Sequence, residues 1–181
     1  MIQELKIAQS RVGVLIGKGG STKKELESKT STAISIDSKE GVVKVEGAEE
    51  NAIPLLRAVE IINAINAGFS PERAFEMIED EDLLLDIIDL SRAADNPRQL
   101  DRLRGRIIGK DGKAREQIEN MTDVDISVFG HTVALIGYPE QMKVARAAID
   151  MLIEGVPHEN VFAFLDKKKK EAKQDMISYY Y

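Results

Sequence analysis

With 181 residues the chain can form one ordinary domain or two small ones, and its 43% hydrophobic, 31% charged make-up is that of a folded soluble protein rather than a disordered one. The absence of cysteine excludes disulfides, zinc knuckles and thiol nucleophiles together; no apolar run approaches the roughly 20 residues of a bilayer-crossing helix, so a cytoplasmic protein with no membrane association is expected. The net charge of −6 argues at face value against a polyanionic partner, yet the charge is segregated: acidic residues crowd at Glu72, Glu76 and Glu79 to Asp82, whereas basic ones gather at Arg11, Lys18, Lys23, Lys24 and Lys29 and again from Arg98 to Arg115.

In chain order, residues 2–7 read as a short strand and residues 11–16 as one or two helical turns ending at a glycine. A helix then starts at the glycine-rich stretch and runs to about Lys29, with Thr22 and Glu25 spaced like a capping box. Residues 33–37 and 42–46 read as strands joined by a polar turn, and a long amphipathic helix follows over residues 48–67, with Leu55, Ala58, Val59, Ile62 and Ile65 on its apolar stripe. Ser70-Pro71 resembles an N-cap followed by proline at the first helical position, which opens a short extra helix.

The second half repeats this order. A strand is predicted over 84–90, a loop over 91–97 that the first half lacks, and a helix whose Leu100, Leu103 and Ile107 share a face. Strands over 125–129 and 131–136 and a helix over 139–154 follow. A last helix, opened by Pro157, carries Lys167 to Lys170 and ends in Ser178-Tyr179-Tyr180-Tyr181.

The repeat itself is the most informative feature. Gly13-Val14-Leu15-Ile16-Gly17-Lys18-Gly19-Gly20 recurs as Gly105-Arg106-Ile107-Ile108-Gly109-Lys110-Asp111-Gly112, so Gly17 and Gly109 stand 92 positions apart. At that spacing Leu26 falls on Ile118, Glu27 on Glu119 and Ile34 on Ile126; further on, Gly68, Glu72 and Phe75 match Gly155, Glu159 and Phe162 at a spacing of 87. The expected division is residues 1–82, a first module with its linker helix, and 83–181, a second module with a C-terminal helix. Paired glycines between an apolar turn and a helix let backbone N–H groups approach a phosphate where the helix dipole favours negative charge. Beside such a loop, an edge strand supplies an apolar wall on which bases can lie.

Ile16-Gly17-Lys18-Gly19-Gly20 and Ile108-Gly109-Lys110-Asp111-Gly112 both resemble the I-G-x-x-G signature of KH domains, in which the loop clamps about four nucleotides of single-stranded RNA. The resemblance implies an α+β fold of two tandem type I KH domains, strand-helix-helix-strand-strand-helix, with extra helices after each. The overall layout resembles the archaeal KH proteins of small-subunit ribosome assembly, whose eukaryotic relatives partner the Nob endonuclease. That implies an adaptor that binds small-subunit ribosomal RNA near its three-prime end, with other assembly or translation factors as partners. Candidate RNA contacts are Ile16, Gly17, Lys18, Gly19, Gly20, Lys23, Ile34 and Ile36 in the first half, and Arg106, Ile108, Gly109, Lys110, Asp111, Gly112, Lys113, Arg115, Ile126 and Val128 in the second. Two departures stand out: Asp111 replaces the glycine at position 19, and both loops are intact where eukaryotic relatives tend to have lost the first.

The competing phosphate motif, the P-loop, needs four residues between its first glycine and Gly-Lys, followed by serine or threonine; Gly13 to Gly17 encloses three, and Gly19 or Asp111 follows the lysine. No paired carboxylates, metal ligands or activated nucleophile stand out, so neither an enzyme nor a cofactor is expected. An RNA-decay cofactor of exosome type, which joins KH to a five-stranded barrel, and a KH-based protein scaffold remain as alternatives. The lysine run reads as a solvated helix face, the terminal tyrosines as packing onto a neighbouring surface or fraying, His131 as structural, His158 as a surface or capping residue, and the acidic stretch as a linker.

Overall fold

The computed structural model describes residues 1–181 and divides them into two compact units, Met1–Leu83 and Leu84–Tyr181. In the first, strands β1 (Ile2–Lys6), β2 (Ala33–Asp37) and β3 (Val42–Glu46) form an antiparallel sheet in the order β1-β3-β2, with Leu5 opposite Val43 and Ile34 opposite Val45. Helices α1 (Gln9–Ile16), α2 (Ser21–Thr30) and α3 (Ile53–Asn66) pack over one face, and α4 (Pro71–Glu79) lies on α2 and α3. The core is what the apolar stripes dictate: Leu15, Leu26, Val43, Val45, Leu55, Ile62 and Ile65 are almost wholly excluded from water. Each such side chain contributes about 1.5–3 kcal/mol by its burial.

The second unit repeats the plan. Its sheet is β4 (Leu84–Asp89), β6 (Thr132–Gly137) and β5 (Asp125–Phe129) in that order, all antiparallel. Helices α5 (Pro97–Ile108), α6 (Lys113–Thr122) and α7 (Pro139–Glu154) build the layer beside it, and α8 (His158–Tyr180) packs on α6 and α7 through Val161 and Leu165. From Asp166 onward every residue of α8 is exposed. All six strands fall in these two three-stranded sheets, which leaves none for the five-stranded barrel of an exosome-type cofactor.

The repeat extends to backbone detail. Ser31 and Asp123, 92 positions apart, end α2 and α6 in the same left-handed conformation, with φ of 52° and 57°. Thr30 and Thr122 donate their hydroxyls back to the carbonyls of Leu26 and Ile118, at 2.6 and 2.7 Å. Helix starts differ from the sequence expectation in instructive ways. α3 starts at Ile53, because Pro54 needs the first turn and the Asn51 side chain accepts from the Ile53 amide at 3.1 Å. α2 starts at Ser21 from a left-handed Gly20, without any side-chain cap, so Thr22 and Glu25 form no capping box. α5 starts at Pro97, capped by Asn96, whose Oδ1 accepts from Gln99 N at 2.9 Å, while Gln99 Oε1 accepts from Asp95 N at 2.7 Å. Ser70 does cap α4, accepting from Arg73 N.

Candidate nucleic-acid interface

Each glycine loop is a tight reversal between two helices. α1 closes when Gly17 N donates to Gly13 O at 2.9 Å, and α5 closes when Gly109 N donates to Gly105 O at 2.8 Å. The chain then turns through φ angles of 76°, 61° and 78° at Gly17, Gly19 and Gly20, and 73°, 56° and 74° at Gly109, Asp111 and Gly112. The near identity explains Asp111: the position demands the left-handed region, which aspartate tolerates better than most residues. Its side chain is exposed. The outer glycines are needed for a second reason. A Cβ at Gly17 or Gly109 would sit 2.7 or 2.8 Å from the backbone nitrogen of Thr22 or Ala114, in the first turn of the following helix. That turn stays open in both units, since neither α2 nor α6 has a side-chain cap. Amides at such a helix start, with the positive end of the dipole behind them, favour an anion. Lys18 and Lys110 project from the loops, exposed and without an ion-pair partner.

Beside each loop-opened helix runs the edge strand of its sheet, β2 by α2 and β5 by α6. A carboxylate ties the two: Glu27 Oε2 accepts from Ile34 N at 3.0 Å, and Glu119 Oε2 from Ile126 N at 2.9 Å. The other oxygen of each carries a cation from one turn earlier, Lys23 at 3.2 Å and Arg115 at 3.1 Å; Arg115 also donates to Ile126 O at 3.1 Å. Lys23 and Arg115 are therefore partly spent on holding the wall. Ile34 and Ile126 are 4% and 1% exposed, so they support that wall from the core and do not offer side-chain faces to a base. Ile16, Ile36, Ile108 and Val128 are half-buried and retain open surface.

Arg106 needs a correction of another kind. Its Nε donates to Leu152 O at 3.0 Å and its Nη2 to Val156 O at 2.7 Å, so the guanidinium caps the C-terminus of α7 instead of standing free for a phosphate. Arg11 does the same in the first unit, with Nε to Ile65 O at 2.7 Å and Nη2 to Phe69 O at 2.8 Å. Burial pulls the Arg11 pKa below its ordinary value. The four accepting carbonyls correspond at the spacing of 87, but the two arginines do not correspond at 92: Arg106 matches Val14. His158 completes the second clamp, its Nε2 2.7 Å from Arg106 O. His131 sits in the β5–β6 turn, its Nδ1 3.0 Å from Asp89 Oδ1. Past Glu79, whose carboxylate pairs with Lys29, the linker is held through its backbone: Arg57 donates to Glu81 O at 2.6 Å and Leu83 O at 3.1 Å.

The charge divides unevenly. Residues 1–83 carry ten Lys and Arg against fifteen Asp and Glu, a net −5; residues 84–181 carry fifteen against sixteen, a net −1. Between Arg92 and Arg115, eight basic residues face three acidic ones. Arg102, Lys110 and Lys113 are exposed there, whereas in the first unit Lys29 is tied to Glu25 and Glu79, which raise its pKa above the ordinary value.

A three-stranded antiparallel sheet in this order, three helices over it and a glycine-framed loop between the first two define the type I KH module, here present twice. Family models agree: a KH domain matches residues 2–64, and the eukaryotic-type KH domain of type I, in its Pno1 second-domain form, matches residues 84–170. A KH domain-containing protein of Methanocaldococcus jannaschii is 39% identical over 175 residues, covering 96% of this chain and 76% of its own. The aDim2p complex with a/eIF2α and rRNA from Pyrococcus horikoshii matches with a TM-score of 0.88 and 43% identity, over 94% of this chain and 95% of that one. The pre-rRNA-processing protein pno1 of Aspergillus fumigatus is 30% identical over 122 residues, 66% of this chain; the chain spans about half of that relative's length. The chain belongs to the Dim2/Pno1 family of tandem KH proteins.

Proposed function

We propose that the protein is a non-catalytic adaptor that holds single-stranded small-subunit ribosomal RNA near its three-prime end during ribosome assembly in the cytoplasm. The observation that carries this reading is the pair of superimposable loops, each opening an uncapped helix whose first amides and one unpaired lysine converge on a single place. A strand of RNA held by its phosphates at the loop can lay bases along the half-buried Ile36 or Val128. Family membership supports ribosomal RNA as the target: the Pyrococcus relative is seen with rRNA and a/eIF2α, which also supports a translation factor as partner, and the Aspergillus relative is named for pre-rRNA processing. The second loop is the stronger grip, because Arg102, Lys110 and Lys113 surround it without acidic partners.

The test is a titration of the full chain with a fluorescent oligonucleotide copying the three-prime end of small-subunit rRNA, against a shuffled control. Lys110→Asp, which makes both central loop residues acidic, is expected to weaken binding by roughly tenfold or more, since it replaces attraction to the phosphate by repulsion. Circular dichroism should not change. Unaltered affinity would remove the loop from the interface.

A further inference from the structure

Each unit has an open cleft between its loop-opened helix and the helix added after the module, and the two clefts have opposite charge. In the second unit the cleft is about 470 Å³ and is walled by Arg102, Lys110, Lys113, Gln117, His158 and Phe162. In the first it is about 360 Å³ and is walled by Glu25, Glu72, Glu76 and Glu79, with Lys29 and Phe75. They share five lining positions. Lys113 and Gln117 match Ser21 and Glu25 at the spacing of 92; His158 and Phe162 match Pro71 and Phe75 at 87. The charge differs at two shared positions, Lys113 and Gln117 against Ser21 and Glu25, and at positions that line one cleft alone, Arg102 and Lys110 in the second and Glu72, Glu76 and Glu79 in the first.

We infer that the second unit's cleft is a further nucleotide subsite, which takes one residue of the same RNA strand beyond those gripped by the loop and groove. This rests on the proposed RNA binding. The cleft is continuous with the loop, because Gly109 and Lys110 line both. Its volume lies in the range of about 300–1,000 Å³ typical of small-ligand clefts, room enough for one nucleotide. Its chemistry is that of a nucleotide. Arg102 and Lys113 are exposed and unpaired on its rim, suited to a phosphate. The rings of Phe162 and His158, with centroids 6.2 Å apart and planes inclined by 51°, offer an aromatic corner to a base. His158 is held in place by its contact with Arg106 O. In the first unit the carboxylates of Glu25, Glu72, Glu76 and Glu79 repel a phosphodiester from the cleft between α2 and α4, so the strand's footprint there ends at the loop.

The experiment is a length series of oligonucleotides, four to eight nucleotides of one sequence, titrated against the full chain and against Gln117→Glu, which gives the second cleft the carboxylate its counterpart has at Glu25. Affinity of the longer strands is expected to fall by roughly five- to tenfold while that of the four-nucleotide strand is unchanged. Longer strands, but not the shortest, should also shift the ring signals of Phe162 in NMR spectra. Equal affinity of Gln117→Glu and wild type for every length, or a Phe162 ring that does not respond, overturns the subsite while leaving loop binding intact. Failure of the wild-type chain to bind any strand overturns the RNA reading and the subsite with it.

Discussion

Arg106 illustrates how a basic residue next to a phosphate loop can be structural. Its two hydrogen bonds to carbonyls at the end of α7 are charge-assisted, a class whose members contribute about 1.5–3 kcal/mol each. Arg106 is only half-buried, so water offsets part of both bonds, and Arg106→Ala is expected to lower unfolding free energy in urea by roughly 1.5–3 kcal/mol in all, with RNA affinity of the folded fraction little changed; a large loss of affinity at full stability would reassign the residue to the interface. Asp89 gives a pH signature. The Ser91 hydroxyl and amide donate to Asp89 Oδ1 at 2.6 and 3.0 Å, and His131 lies on the same oxygen, which together hold the carboxyl at about 2, below its ordinary 3.8. A depressed folded-state value means stability present above the unfolded value and lost as pH falls through the folded one. Wild type should thus lose, between about pH 4 and pH 2, a contribution that Asp89→Asn lacks at every pH, and urea midpoints of the two proteins should converge across that window.

At the scale of elements, the strands and hairpins were legible because period-two apolar residues and polar turns leave little freedom. The β2–β3 turn is an example: Asp37 Oδ1 takes the amides of Lys39 and Glu40, and Gly41 follows at φ 70°. The phosphate loops were legible because their glycines recur at fixed spacing. What the sequence hid was long-range: Arg106 and Arg11 reach carbonyls about 50 residues away, and each charged cleft joins helices far apart in the chain, α5 and α6 with α8 in one and α2 with α4 in the other. Asn-Pro at a helix start signals the Asn96 cap, although the expected loop runs through residue 97. The far half of α8 is another matter, since Lys168 and Lys170 pair with Glu171 and Asp166 on their own helix and nothing past Leu165 is buried. Deleting residues 170–181 is expected to leave the thermal midpoint within about a degree, because exposed changes rarely exceed about 0.5 kcal/mol. Those amides should exchange with solvent fast in the intact chain.

Across the whole molecule, the acidic total of −6 hides two modules with unequal claims on a polyanion. Binding should be salt-dependent, with a log–log slope of about 0.7 per phosphate neutralised on a single strand. Lys18→Asp is expected to reduce both slope and affinity less than Lys110→Asp, because Glu25 lies one turn along α2 from the first loop where the second unit has Gln117, and Arg102 and Lys113 flank the second loop. Equal losses from the two substitutions, measured from 50 to 300 mM salt, would contradict this ranking. The clamps under the two closing helices bear on how the halves can be recombined. A guanidinium arrives from one turn of α1 and from the next turn of α5, so a hybrid that swaps either helix intact keeps its anchor. A position-by-position average of the two halves could draw Leu103 for Arg11 and Val14 for Arg106, and such a polypeptide would lose the pin that fastens its last helix while keeping every glycine of its binding loop.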